Sequence, residues 1–522
     1  MTAMTEIETK FSAPVDFTMP DLTVVPGVAS VDEPTAFDLD ATYYDTADLA
    51  LARRRMTLRR RRGGHDAGWH LKQPAGMDRS ELQVPATESR KVPDEITAQI
   101  WVHSRGSTLA PVVRIRTHRT ERALRAADGK VLALIADDAV KSLAYGVDPP
   151  PQQQWHELEA ELVNGDRELL DAVGQALRQA GAQPAEAPSK FAHALNGRLP
   201  SPAPSEDGMT GRAPTERGVG PSIGPGSRAI ADYLRAQRDA ILRNDPLVRA
   251  GDPDGVHDMR VAIRRIRATM RTYRAGLDPE RTAPLRDELQ WLGLMLGAVR
   301  DADVLTDRFE AAVDAEPPEV MIGPVAIRIR ERLAASQGEA SVALRAAMTS
   351  RRYARVLNHL DDYVSSGAPD ATDQRLLRST RKAVTRADAM LDAAQQLPLR
   401  AAGVPEPSAA PRDQDAGLHE ARKAYKRARY AAEALAPVAG SPATRLAKRM
   451  RALQDLLGAH QDTVVGARLM REYGMRAHLD GNNAFSYGLL YQREVEEGRR
   501  WLDGLDRARR RARQRSVRAW LG

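Results

Sequence analysis

The feature that most constrains this chain is a change of hydrophobic period. Upstream of Leu199, apolar residues alternate in short runs bounded by turn residues: Met4–Phe11, Phe37–Tyr44, Met56–Arg62, Trp69–Gln73, Val112–Thr120, Val131–Ala139 and Trp155–Val163. A period of two means β-strands with one face buried. Beyond Ser227 the period becomes 3.6, as in Ser227–Arg243, Asp258–Arg274, Pro284–Val299 and Leu418–Ala436, which means helices. Between them runs LPSPAPSEDGMTGRAPTERGVGPSIGPGS, too rich in Pro, Gly and charge to bury a core or hold a helix. The expected fold class is therefore multidomain α+β: a β-rich domain over 1–199, a linker over 200–227 and an all-α domain over 228–522. One helix, Asp166–Ala180, follows the last strand, with Leu169, Leu170, Val173 and Leu177 on a single face.

The helical part is internally duplicated. HDMRVAIRRIR at His257–Arg267 is matched 162 residues later by HEARKAYKRAR at His419–Arg429, and LGAVRDADV at Leu296–Val304 is followed in the same order by LGAHQDTVV at Leu457–Val465. Two matches in register make a duplicated helical bundle, with repeats of about 228–397 and 412–522 and the Pro/Gly-rich segment Pro398–Pro411 between them.

Composition narrows the chemistry. No cysteine occurs in the 522 residues, so disulfides, thiolate metal sites and thiol nucleophiles are excluded. The start of the chain carries Glu6, Glu8 and Lys10, and no apolar run approaches the ~18 residues a membrane span needs, which predicts a cytoplasmic protein. Lys plus Arg number 77 against 70 Asp plus Glu, a net charge of +7 that points to anionic partners.

The strands of the first domain carry charge on alternate positions. Glu6, Glu8 and Lys10 share one face, as do Arg59 with Arg61, His70 with Lys72, Arg114 with Arg116, and Glu157 with Glu159 and Glu161. A solvated sheet face would mix the signs along each strand. Here acids gather on the first and last strands and bases on the middle ones, which suits a barrel with a polar interior. Arg59, Arg61, Lys72, Arg114 and Arg116 can match the oxygens of a phosphate chain. Glu6, Glu8 and one or two of the HELEAEL glutamates can hold Mg2+ or Mn2+, hard cations that take carboxylates, phosphate oxygens and water. Hydrolysis then needs in-line attack by water and no covalent nucleophile.

Glu6-Ile7-Glu8-Thr9-Lys10 resembles the ExExK signature of the CYTH domain, the triphosphate tunnel metalloenzyme family. The order of YYDT at Tyr43–Thr46, TLRRR at Thr57–Arg61, WHLK at Trp69–Lys72, RIRTHR at Arg114–Arg119, ELEAEL at Glu157–Leu162 and SKFAHAL at Ser189–Leu195 agrees with it. The resemblance implies an eight-stranded antiparallel β tunnel barrel that binds triphosphates with a divalent metal. By motif position Glu6, Glu8, Glu159 and Glu161 would be metal-side and catalytic, with Lys10. Lys10, Arg59, Arg61, Lys72, Arg114, Arg116 and Lys190 would bind triphosphate. Glu157 shares the parity of Glu159 and Glu161, so which two of the three bind metal stays open, and the second residue of Asp137-Asp138 fits a family acidic position. His118 and Glu121 stand where cations are more usual.

In the helical domain His257, Arg260, Arg264, Arg267 and Arg271 step by three and four along one helix face, as do His419, Arg422, Lys426 and Arg429 in the second copy. These stripes are nearly free of acid, so the like charges repel unless an external anion compensates. The repeats resemble the CHAD domain, which implies two related helical halves that bind inorganic polyphosphate and, with it, placement at polyphosphate granules. Asp301 and Asp462 read as salt-bridge or helix-end residues. His257 and His419 read equally well as phosphate contacts or structural hydrogen bonders. The Arg cluster Arg507–Arg518 reads as an extension of the basic surface or as a basic tail.

The expected activity is metal-dependent hydrolysis of inorganic triphosphate, with a polyphosphate-binding module. The alternatives are action on an organic triphosphate such as thiamine triphosphate or ATP, and a non-catalytic polyphosphate-binding protein. Aromatic residues make up only 5%, and none interleaves the stripes, which argues against nucleic acid. No membrane partner is expected, and the sequence leaves the oligomeric state open.

Overall fold

The computed structural model describes residues 7–64, 66–75, 78–85, 87, 89, 91–146, 151–185, 187, 189–195, 198, 224–365, 370–397 and 413–522. Glu6, most of the 200–227 segment and all of Pro398–Pro411 lie outside them. The chain divides into two compact units, Met1–Pro214 and Thr215–Gly522.

The first unit is one antiparallel sheet of ten strands: β1 (Glu8–Ala13), β2 (Ser30–Val31), β3 (Thr35–Asp45), β4 (Thr57–Arg62), β5 (Gly68–Ala75), β6 (Asp78–Pro85), β7 (Ala110–Arg125), β8 (Val131–Ala144), β9 (Gln152–Leu162) and β10 (Gln183–Pro184). Along the sheet the order is β10-β1-β9-β8-β7-β3-β4-β5-β6, with β2 beside β7. Eight strands have six or more residues and form the expected tunnel; the two-residue β2 and β10 bring the total to ten.

Two helices cover the outer face. Leu58, Trp69 and Leu71 of β4 and β5 pack with Ile96 and Ile100 of α1 (Asp94–Ser104). Phe11, Leu158 and Ala160 of β1 and β9 pack with Leu169, Val173 and Leu177 of α2 (Arg167–Gln179). α2 starts where predicted because the Asp166 carboxylate accepts the Leu169 N–H at 2.9 Å, a cap worth ~1 kcal/mol. β6 and α1 were not foreseen: β6 has only Leu82 and Val84 for α1 to cover, too little alternation to read as a strand.

The inner face carries the charges, yet the side chains of Lys190, Glu159, Arg61 and Arg59 are only 13%, 14%, 15% and 17% exposed. On a flat sheet they would stand in water, so their burial marks a sheet curled around them. A third helix, α3 (Lys190–Leu195), sits on this inner face at one end. There Phe191, Ala194 and Leu195 pack on Tyr43, Val113, Ile115 and Val140, with the Phe191 and Tyr43 rings stacked at 4.7 Å.

The second unit is helical: α4 (Pro225–Ala250), α5 (Pro253–Thr272), α6 (Pro279–Asp314), α7 (Val325–Met348), α8 (Arg351–Ser365), α9 (Asp373–Gln395), α10 (Gln414–Ala439), α11 (Ser441–Leu479), α12 (Phe485–Leu502), α13 (Leu505–Ala512) and α14 (Arg515–Arg518). Asp252, Asp278, Thr372 and Asp413 cap α5, α6, α9 and α10 with their side chains. α6 begins five residues before the predicted Pro284, because Asp278 caps it and Pro279 takes its first position, where a proline costs no intrahelical hydrogen bond; Pro284 lies inside the helix. The two matched helices, α5 and α10, pack together, and Tyr273 beyond α5 donates to the Ala431 carbonyl of α10 at 3.0 Å. No helix among the described residues is long and apolar enough to cross a membrane.

Candidate functional site

Strand register decides which side chains enter the tunnel. Glu8 pairs with Glu161 and Lys10 with Glu159 across β1 and β9; Glu157 pairs with Asp138 across β9 and β8, and Asp138 with Arg119 across β8 and β7. All share one face because directly paired residues point the same way. Lys10 Nζ lies 3.1 Å from Glu8 and 3.0 Å from Glu159. Arg119 grips Asp138 at 2.7 and 2.8 Å and reaches Glu159 at 2.5 Å. Lys190, from α3, meets Glu159 at 2.7 Å, Asp138 at 2.9 Å and Glu157 at 3.2 Å. Burial alone would raise the Glu159 carboxyl, but Lys190, Lys10 and Arg119 hold it well below its ordinary range. Burial would likewise lower the Lys10 and Lys190 ammoniums and the Arg119 guanidinium, and the carboxylates around them raise all three instead.

On the same face farther along, Tyr43 pairs with Arg59, Arg59 with His70, and Lys72 with Glu81. Glu81 accepts from His70 Nδ1 at 2.7 Å and Lys72 at 3.1 Å, and Arg61 donates to Asp66 at 2.6 Å. Burial pushes the Glu81 carboxyl up, but His70, Lys72 and Arg59 outweigh it and bring it down to about 2. The buried Nε–H groups of Arg59 and Arg61 have no partner among the described residues. Buried donors are normally satisfied, so each orphan costs ~1–3 kcal/mol until an acceptor arrives.

In the helical unit, charges from both repeats converge. Lys426 of α10 senses Arg422 on its own helix and Arg264 and Arg260 on α5. Arg264, near Arg260 and Arg422, has the Tyr430 hydroxyl as hydrogen-bond partner. The buried Nε–H groups of Arg264, Arg267 and Arg422 find no acceptor among the described residues. Burial first, then Arg422, Arg264 and Arg260, brings the Lys426 ammonium down to about 7 against the opposing pull of Asp462. Burial also lowers His257, with Arg300 and Arg264, and His419, with Lys423.

The stripes are less free of acid than their sequence implied. Asp301 of α6 accepts from Arg260 at 2.7 Å, and Glu433, one turn beyond Arg429, accepts from it at 2.7 Å while Gln454 takes its other nitrogen at 3.1 Å. Arg267 donates to Gln290 at 2.7 Å. What remains is the basic centre Arg264, Arg422 and Lys426, which Asp462 of α11 opposes only in part. In the C-terminal Arg cluster, Arg509 and Arg513 pair with Asp392, and Arg518 with Asp388, which fastens α13 and α14 to α9.

The CYTH domain matches residues 4–194 and the CHAD domain matches residues 232–471. An uncharacterized protein of Mycobacterium tuberculosis is 34% identical over 527 residues, covering 97% of this chain and 96% of the relative. The chain belongs to the CYTH–CHAD proteins. Among solved structures, PptA from Streptomyces chartreusis is similar at 23% identity and a TM-score of 0.46, covering 55% of this chain and 99% of that one. A CHAD domain from the plant Ricinus communis is similar at 25% identity and a TM-score of 0.40, covering 55% and 91%. The CYTH unit is a triphosphate tunnel protein by family.

Two expected tunnel residues stand elsewhere in the CYTH unit. Arg114 pairs with Thr42 and Arg116 with Asp40, the opposite parity to Tyr43 and Arg59, which puts both arginines on the outer face. Arg114 is bound there by Asp40 at 2.9 Å, and Arg116 is exposed. His118 shares that face, held by Asp38. The inner-face arginine of this motif is Arg119, its last. Alternation misleads here because Val113 and Ile115 face inward against α3, so the apolar positions of β7 line the tunnel end. The pairing of Arg119 with the second acid of Asp137-Asp138 is the signal that could have found it. Glu8, Lys10, Glu159, Glu161, Arg59, Arg61 and Lys72 share the inner face, and Lys190 reaches their cluster from α3. His70 joins them beside Lys72, as its spacing implied, and Glu81 of β6 joins unforeseen.

Among the described residues no three acidic or imidazole groups stand ready to close on a metal ion. The donor chemistry nevertheless fits Mg2+ or Mn2+: Glu8, Glu159 and Glu161 are hard oxygen donors on paired strands, and Lys10 and Lys190 now supply the positive charge beside Glu159.

Proposed function

We propose that the CYTH unit hydrolyses inorganic triphosphate with Mg2+ or Mn2+ and that the CHAD unit holds inorganic polyphosphate. The observation that carries this reading is the set of buried guanidinium N–H groups without acceptors among the described residues, at Arg59 and Arg61 in the tunnel and at Arg264 and Arg422 where the repeats meet. Rows of missing acceptors on cationic walls call for a ligand made of anionic oxygens.

In the tunnel Arg59, Arg61 and Lys72 take the phosphoryl oxygens on one wall, and Lys10, Arg119 and Lys190 take those beside the acids. Glu8, Glu159 and Glu161 would hold the metal, which supplies charge neutralisation and orientation for in-line displacement when bound. A carboxylate freed from its lysine as substrate draws that lysine away can orient the attacking water. In the CHAD unit Arg264, Arg422 and Lys426 form the centre of the groove, with Arg260 and Arg267 beside them. Arg429 is engaged by Glu433, and His257 and His419 flank the centre as hydrogen bonders.

Purified protein given tripolyphosphate and Mg2+ or Mn2+ should release orthophosphate faster than with ATP or thiamine triphosphate, and Lys10→Ala or Glu8→Ala should stop release. No turnover with either metal overturns the reading. A preference for ATP or thiamine triphosphate moves it to an organic substrate.

A further inference from the structure

The duplicated CHAD unit repeats two segments in fixed order, a basic helix containing HxxR and a later LGA segment. The glycine of each LGA segment lies against the arginine of the preceding HxxR. A Cβ on Gly297 of α6 would stand 3.4 Å from Nη2 of Arg260 on α5. A Cβ on Gly458 of α11 would stand 2.9 Å from Nη2 and 3.1 Å from Nε of Arg422 on α10. Neither glycine has a positive φ, and both lie inside long helices, where alanine is the better residue for the backbone. Conformational freedom therefore does not explain them. What the missing side chain provides is room for a guanidinium to lie against the neighbouring helix.

We propose that Gly297 and Gly458 are positioning residues of the CHAD groove: by leaving this room they hold the Arg260 and Arg422 guanidiniums in the cluster formed with Arg264 and Lys426, in the orientation that a bound polyanion requires. The two glycines do the same task in the two repeats, but not equally. Gly458 has the closer contact, and Arg422 Nε is a buried donor without an acceptor, whereas Arg260 is also held by Asp301. The inference rests on the polyphosphate reading of the groove.

The test is binding of long-chain inorganic polyphosphate to the full chain without divalent metal, measured by calorimetry beside thermal melts. Gly458→Ala should bind roughly tenfold more weakly, the scale of one charge-assisted hydrogen bond, while its melting temperature stays the same or rises. Gly297→Ala should lose less. In an Arg422→Ala background, Gly458→Ala should cost nothing further, since its effect runs through that side chain. A merely structural glycine would lower stability and affinity together, and that outcome overturns the proposal. Unchanged affinity in Gly458→Ala with normal binding by the wild type overturns the positioning role alone. A wild type that does not bind polyphosphate removes the reading beneath it.

Discussion

Lys190 Nζ, on the short helix that closes onto the inner face of the sheet, lies 2.7 Å from Oε1 of Glu159, and Lys10 reaches that same oxygen at 3.0 Å. Two ammoniums on one carboxylate oxygen is an arrangement that water does not favour. It persists here because Asp138 and Glu157 also contact Lys190 and Glu8 also contacts Lys10, so each ammonium faces more than one carboxylate.

Removing one member should therefore be costly. Lys190→Met leaves Asp138, Glu157 and Glu159 buried with less compensation and should lower unfolding free energy by about 3 kcal/mol, the usual loss from breaking a buried pair. Urea melts of the variant check the loss. Added Mn2+ should restore part of it if the metal takes the place of the cation.

Arg119 and Arg114 should behave oppositely although both belong to one motif. Arg119→Ala removes an inner-face cation and should abolish triphosphate hydrolysis. Arg114→Ala breaks a half-exposed pair with Asp40 and should change stability by less than ~1 kcal/mol and leave kcat within about twofold. Steady-state kinetics of the two variants, with melts as control, decide it.

Acid should weaken the CYTH unit through Glu81. Its folded carboxyl sits at about 2 against 4.5 unfolded, so its contribution is fully present above pH 4.5 and is lost as pH falls toward 2. The interval corresponds to at most about 3 kcal/mol. Glu81→Gln should flatten the pH dependence of stability in that window; an unchanged acid-unfolding curve contradicts it.

Lys426 should make polyphosphate binding fall as pH rises through about 7, because the ammonium loses its proton there. The stability sign is the reverse. Between pH 7 and 10.5 the unfolded chain binds more protons at this lysine, so the folded state gains as pH rises. Lys426→Arg keeps its charge throughout and should remove the fall in binding between pH 6 and 8.5, as read by calorimetry.

Much of the tunnel was legible because strand parity is a local property. Glu8 and Lys10, Arg59 and Arg61, and Glu159 and Glu161 each share a face through spacing alone, and the paired register keeps them together. Arg114 and Arg116 were misread for the same local reason. Their parity is clear, but which parity faces inward depends on α3, whose Phe191 draws Val113 and Ile115 inside. Glu81 was missed because its partnership with His70 needs β6, a strand with little hydrophobic signal.

In the helical unit the order of the duplicated segments fixes that α5 and α10 are equivalents, and the 3.6-residue spacing fixes which residues line each stripe. Sequence therefore determined the two periods, the duplication, the families and most of the charged inventory, since each follows from residues near one another along the chain. Only the tertiary structure decided which charges remain uncompensated. Asp301 reaches Arg260, Glu433 and Gln454 enclose Arg429, and Arg264, Arg422 and Lys426 are left facing one another with Asp462 offsetting only part of their charge. Coulombic neutralisation acts over a few ångströms of space between residues distant in sequence, and spacing along one helix carries no information about it.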